Sequence, residues 1–370
     1  MFDFFRLLLS GDTKTNMQQD KSTRIVANWI FLGVAMLIIQ VLLGGITRLT
    51  GSGLSITEWK PIMGAMPPMT EADWQATFIK YQQIAQYKFL NTHFTLSDFK
   101  FIFFWEWFHR LWARLIGVAF IVPFVYFLAK KYFKSWMVLP LVILFLLGAL
   151  QGAIGWIMVQ SGLNDNDLYV SHIRLAVHFM AAMILISYAL VFGLKLSIEP
   201  GQRVFQPSLL KGALVITSLI FIQLIFGAFM AGLKAAATAP TWPDINGMVV
   251  PAGLFSNDGF LHNIVYNKIG VHFIHRTLAY LIAFFIIIWW FSARTVTSSA
   301  AFKKAKNTAM ILVVSQVFLG ILTVLVSPKM VAGKFGAFEW LAELHQLTGM
   351  LLLLSMVSVV FLLSRKKLVN

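Results

Sequence analysis

Eight apolar runs constrain this chain more than any other feature. They cover roughly 28–48, 105–128, 137–159, 171–194, 211–233, 271–291, 307–327 and 341–363. Crossing a bilayer core takes about 20 helical residues. Lipid offers no partner to open backbone groups, and runs this long and continuous are not barrel strands, so the spans must be helices. Of 370 residues, 58% are apolar and only 12% are charged, where a soluble domain carries roughly 25% charged residues. The mean hydropathy of +0.76 agrees. The expected fold is an all-α integral membrane protein with eight transmembrane helices.

Lys and Arg set the orientation. Seventeen of the thirty fall before the first run, after the last, and between runs two and three, four and five, and six and seven. Examples are Arg6, Lys130, Lys131, Arg203, Lys304 and Arg365. The opposite connections carry nine, spread over more residues. Basic loops stay in the cytoplasm, so both termini are expected there. The formal charge of +15 is therefore assigned to membrane orientation, and nucleic acid is not an expected partner. Residues 1–27 read as a cytoplasmic tail, because Asp3, Asp12 and Asp20 are foreign to an acid-poor presequence. With no cysteine in the chain, disulfides, thiolate metal sites and cysteine nucleophiles are excluded. Two connections on the other side are long, 49–104 and 234–270, a length common in lids and binding loops.

The second half resembles the first. His109-Arg110 returns as His275-Arg276, 166 residues on, and His178 returns as His345, 167 residues on. The odd-numbered runs share Gln-x-x-x-Gly, as Gln40/Gly44, Gln151/Gly155, Gln223/Gly227 and Gln316/Gly320. This pattern is a tandem duplication, expected as two parallel-repeat four-helix bundles, 28–200 and 201–370, about an axis along the membrane normal. The glycines read either as close helix contacts or as room for a flat ligand.

His109, His178, His275 and His345 lie one per even-numbered run, near the same membrane face. Ionisable groups at that depth are costly and mark function. A single such histidine reads as a hydrogen-bonded core residue. Two matched pairs in a duplicated bundle read as two sets of axial ligands for haem iron. Zinc is a weaker candidate, since each half offers only one well-placed pair. Arg48, Arg110, Arg114, Arg174 and Arg276 lie near the same face, suited to anionic propionates or to interfacial anchoring. The halves differ where Glu106 precedes His109 by three residues but His272 precedes His275. Glu106 fits an i,i+4 pair with Arg110, or a carboxylate beside a haem for proton transfer or charge stabilisation. His172 is expected to face water, and His93 and His262 fall on loops.

Several motifs, taken together, carry a family resemblance. They are Gly44-Gly45-Ile46-Thr47-Arg48-Leu49-Thr50-Gly51-Ser52-Gly53-Leu54-Ser55, Glu58-Trp59-Lys60-Pro61 and Glu106-Trp107-Phe108-His109-Arg110. Further on come Arg174-Leu175-Ala176-Val177-His178, Ala231-Gly232-Leu233-Lys234-Ala235, Thr241-Trp242-Pro243 and Phe273-Ile274-His275-Arg276. Across nearly all eight runs the chain resembles the haem A synthases, in their cysteine-free alphaproteobacterial and mitochondrial branch. The resemblance implies an oxidoreductase that converts a methyl group of haem O to formyl, giving haem A for terminal oxidases. It implies a reaction site at Glu106, His109 and His178 in the first half, and a haem b held by His275 and His345 in the second. Arg48, Arg110 and Arg276 become candidate propionate contacts. The stretch Lys234-Ala235-Ala236-Ala237 lacks a second glycine expected after Lys234.

The resemblance further implies a multi-pass protein of the bacterial inner membrane with its haem sites near the periplasmic face. Candidate partners are a haem O synthase, an electron-transfer partner and a second copy of the chain. The main alternative is a two-haem b-type cytochrome that only transfers electrons and has no need of Glu106. A transporter on parallel repeats would instead show helices broken at mid-membrane.

Overall fold

The computed structural model describes residues 21–58, 63–254, 259–296, 298–330 and 335–364. Eight long helices carry the eight apolar runs. They are α1 (Lys21–Leu49), α2 (Leu96–Ala129), α3 (Ser135–Gln160), α4 (His172–Ser197), α5 (Pro207–Gly232), α6 (Lys268–Ala293), α7 (Ala300–Val326) and α8 (Ala337–Leu363). Each is long and apolar enough to cross a membrane. Among the described residues there is no strand, only an isolated bridge between Ile245 and Met248. Residues 1–20, the Trp59-Lys60-Pro61 motif and the basic cluster at 365–367 lie outside the described residues.

The helices overrun the apolar runs, and the reason is local. α2 starts at Leu96 because Thr95 and Asp98 form a capping box. The Asp98 carboxylate accepts from the Thr95 N–H at 2.8 Å, and the Thr95 hydroxyl accepts from the Asp98 N–H at 3.3 Å, satisfying donors that a helix start leaves open. Hydropathy marks only the part that meets lipid. α1 likewise begins at Lys21, within the segment expected as tail.

α8 is the centre of the bundle, with 67% of its most apolar stretch buried, whereas α2 buries only 6% and faces lipid. α1 packs on α2 and α4, and α3 on α4. In the second half α5 packs on α6 and α8, and α7 on α6 and α8. The one unmatched contact is α2 with α3: these two helices make no extended contact, although α6 and α7 do. The halves join where α4 meets α5 and where α8 meets α4 and α1. The buried apolar cluster that runs through both halves includes Val34, Ile38, Ile186, Leu190, Ile216, Ile220, Leu353 and Met356.

The histidine-bearing helix ends gather under the two long connections. Helices Glu71–Tyr81 and Ala85–Leu90 lie in the first connection, where Phe78, Tyr81 and Ile84 pack with Leu54, Phe99, Ile102 and Phe103. The Ala85 N–H donates to the Asn164 carbonyl at 3.1 Å, and Lys88 pairs with Asp165 at 2.8 Å. The connection is thereby tied to the α3–α4 loop. In the second connection Lys234 itself takes the left-handed conformation, φ +51°, while Ala235 has φ −79°. No glycine is required after Lys234, because the turn is made one residue earlier.

Candidate functional site

One arrangement occurs four times. Gln and Gly four residues apart share a helix face, and each such pair meets one histidine of a neighbouring helix. On α1, the Gln40 amide donates to the His109 carbonyl at 3.2 Å and lies 3.3 Å from each ring nitrogen. A Cβ at Gly44 would stand 3.1 Å from His109 Cε1. On α3, Gln151 donates to the His178 carbonyl at 3.1 Å, and a Cβ at Gly155 would stand 2.8 Å from the ring. On α5, Gln223 donates to the His275 carbonyl at 3.0 Å, with the Gly227 position at 3.4 Å. On α7, Gln316 lies 3.3 Å from His345 Nε2, with the Gly320 position at 3.0 Å. The glycines thus make room for imidazole rings. Sequence reasoning singled out the motif but missed the glutamine as histidine partner.

His275 and His345 face each other across the second half, ring centroids 6.3 Å apart and planes at 75°. A metal–imidazole nitrogen bond is about 2 Å, so two rings on one metal have centroids roughly 6 Å apart. His345 Nδ1 is buried without a hydrogen-bond partner, and so are the Oε1 atoms of all four glutamines. Unsatisfied buried polar atoms are rare and ask for a reason; a ligand between the rings supplies one. The residues present therefore fit an axially bound haem. In the first half His109 and His178 lie within electrostatic range of each other. Among the described residues no group of three or more His, Asp or Glu could hold a metal ion, which disfavours zinc.

Glu106 is almost fully buried and heavily engaged. Its Oε2 accepts from the Ser55 hydroxyl at 2.7 Å and the Ile56 N–H at 2.8 Å, and its Oε1 accepts from Arg110 at 2.5 Å. Arg110 also donates to the Ile56 carbonyl at 3.2 Å. The i,i+4 pair is present, and the pair together anchors the loop after α1. In the second half the His272 ring takes that place, fully buried beside Ala236. Arg276 donates to the Asp244 and Ala239 carbonyls, both at 2.8 Å. Arg110 and Arg276 thus hold equivalent loops down with their guanidiniums. Arg174 donates to the Ile157 carbonyl at 3.0 Å.

Arg48 interacts electrostatically with Glu343 of α8, across the seam between the halves. Arg48 Nε and both Glu343 oxygens are buried without hydrogen-bond partners. A Cβ at Gly45 would overlap the Glu343 carboxylate. The adjacent glycines therefore serve two purposes, Gly44 admitting His109 and Gly45 admitting Glu343. His172 does not face water as expected. Its ring packs edge-on against Phe229 and Tyr266, at 5.5 and 4.9 Å, because the α4 start is wedged against Gly232 of α5. His262 stacks on Tyr266 at 5.1 Å, and His93 meets Phe94 at 5.1 Å.

The model of the cytochrome oxidase assembly protein family, COX15-CtaA, matches residues 27–357. A Flavobacterium psychrophilum protein named heme A synthase is 39% identical over 347 residues, covering 90% of this chain and 96% of that one. Heme A synthase of Parvibaculum lavamentivorans is 43% identical over 275 residues, 74% of this chain and 79% of that one. That of Nitrosospira multiformis is 40% identical over 305 residues, 81% and 85% of the two chains. The chain belongs to the cytochrome oxidase assembly protein family, COX15-CtaA, among the haem A synthases.

Proposed function

We propose that this membrane protein is an oxidoreductase that converts haem O to haem A, with the reaction in the first four helices and a haem b in the last four. Family membership supports the reaction. One observation supports the division: the same His–Gln–Gly arrangement surrounds both sites, but on the equivalent helices α2 and α6 a buried carboxylate, Glu106, stands one turn before His109 where buried His272 stands before His275.

His109 and His178 hold the iron of haem O, and Gln40 and Gln151 fix those histidines through their carbonyls. Glu106 lies one turn from His109. A carboxylate offers about four acceptor positions; three are filled by Ser55, Ile56 and Arg110, which leaves one for the substrate face. There it stabilises developing positive charge or takes a proton as the methyl is oxidised. With water as the oxygen source, methyl to hydroxymethyl and hydroxymethyl to hydrated aldehyde each release two protons and two electrons, the electrons passing to an external electron acceptor; the hydrated aldehyde then loses water. His275 and His345 are the residues that would hold a haem b, which would supply one-electron transfer when bound. Gln223 and Gln316 fix the two histidines, and Arg276 holds the loop over them. Arg48, Arg110 and Arg276 border the haems, and the Nε atoms of Arg48 and Arg276 are buried without a hydrogen-bond partner.

The sites lie at the periplasmic face of an inner membrane, with both termini cytoplasmic. A haem O synthase, an electron acceptor and a second copy of the chain are its candidate partners. The test is expression beside a haem O synthase, followed by chromatography of the extracted haems. Haem A is expected; haem B and haem O alone would favour the electron-transfer cytochrome.

A further inference from the structure

The unmatched gap between α2 and α3 leads to a cavity of about 250 Å³. Its walls are apolar and come from all four helices of the first half. It begins at Ala113 of α2, one turn from His109, and at Gly148 of α3, one turn from Gln151. It ends at Trp29, Phe120 and Phe145, whose rings close it, Trp29 on Phe120 at 5.2 Å and Phe120 on Phe145 at 6.1 Å. From His109 to Phe120 the helix rises about 16 Å.

The cleft is a built feature. Trp112 donates to the Met36 carbonyl at 2.9 Å above it, and Trp29 donates to the Ala119 carbonyl at 2.8 Å below it. These two bonds hold α2 on α1 and away from α3. Gly33, Gly117 and Gly148 line the space between, and a Cβ on any of them would meet nothing within 4 Å. At the same offsets from Gln223, His275 and Gln316 the second half has Ile216, Ala283 and Val313. Ile216 and Val313 are buried in the core, and α6 packs on α7. A cleft thus accompanies one histidine pair, and larger side chains stand at the corresponding glycine positions beside the other.

We infer that this cleft holds the prenyl chain of haem O. Haem O differs from haem b by a long isoprenoid substituent on the porphyrin edge. A porphyrin between His109 and His178 would lie about one helical turn from the cleft mouth, and an apolar channel there is suited to such a substituent. A prenyl chain buried there loses contact with water and gains dispersion contacts. The half without the cleft suits a haem without the chain. The inference rests on the first half being the haem O site, and its test separates the two claims.

The test uses Gly117→Leu and Gly148→Leu, which fill the cleft without touching a histidine or a glutamine, with Gly148→Val as a milder variant that copies the second half. Purified proteins retaining haem b are titrated with haem O and with haem B as separate probes. The wild type should bind haem O at least about tenfold more tightly than haem B in the first half. The leucine variants should lose that preference, with haem B affinity within about twofold of wild type. If they bind and convert haem O as the wild type does, the cleft holds only lipid and the inference fails. If the wild type binds no haem O in the first half, the assignment of that half fails regardless of the cleft.

Discussion

Arg110 and Glu106 form an ion pair at 2.5 Å, one turn apart on α2, and Arg110 extends it to the Ile56 carbonyl at 3.2 Å. The pair couples the helix turn that carries His109 to the loop above it. Glu106→Gln keeps the shape of the side chain but removes its charge. Conversion of haem O should fall about 100-fold or more, while haem b stays bound. Losing the charged partner should cost about 1–3 kcal/mol of stability. Haem chromatography and thermal denaturation of the purified variant read both effects. Conversion at the normal rate would remove Glu106 from the chemistry.

The four glycines under the histidines should not be equivalent. A Cβ at Gly155 would press on His178 at 2.8 Å, whereas at Gly227 it would make ordinary contact with His275 at 3.4 Å. Gly155→Ala should displace the ring and abolish haem A formation. Gly227→Ala should leave the haem b spectrum unchanged. Absorption spectra and haem analysis of the two proteins compare them directly.

Much of this was legible in the sequence because lipid imposes a strict pattern. Each of the eight apolar runs lies largely within one long helix. The helix starts were less legible, since the Thr95–Asp98 box and the α1 start at Lys21 lie in polar sequence. The histidine pairs were readable from spacing, and His275 and His345 do face each other. The i,i+4 partner of Glu106, Arg110, was readable; its loop partners were not, because Ser55 and Ile56 are about fifty residues away and reach it only through the fold of the loop. His172 was misjudged for a similar reason. Its neighbours Phe229 and Tyr266 come from other parts of the chain.

Gln223 orients His275 without touching the iron itself. Replacing such an outer partner typically weakens metal binding about 10- to 100-fold. Gln223→Leu should therefore lose haem b on dilution while its helices stay formed. Haem content per polypeptide before and after dilution, alongside circular dichroism, checks this. Full retention of haem b would show that the Gln223 contact is incidental.

The loop over the first site should open at alkaline pH. Burial pushes the Tyr81 hydroxyl up to about 12, partly offset by the hydrogen bond from Asn91. The unfolded value is about 10. The folded state thus favours the protonated form, and its contribution is complete below pH ~10 and lost as pH rises toward ~12. Tyrosinate absorbance should appear late for Tyr81, together with loss of protection around Ala85. Tyr81→Phe should remove that pH step.

The central claim is the division of labour between the two histidine pairs. Its most direct measurement is the haem content of His109→Ala and His275→Ala proteins expressed beside a haem O synthase. The account predicts that His109→Ala keeps haem b and makes no haem A, whereas His275→Ala loses the haem b spectrum. Haem A from the His109→Ala protein, or haem b intact in His275→Ala, would contradict it.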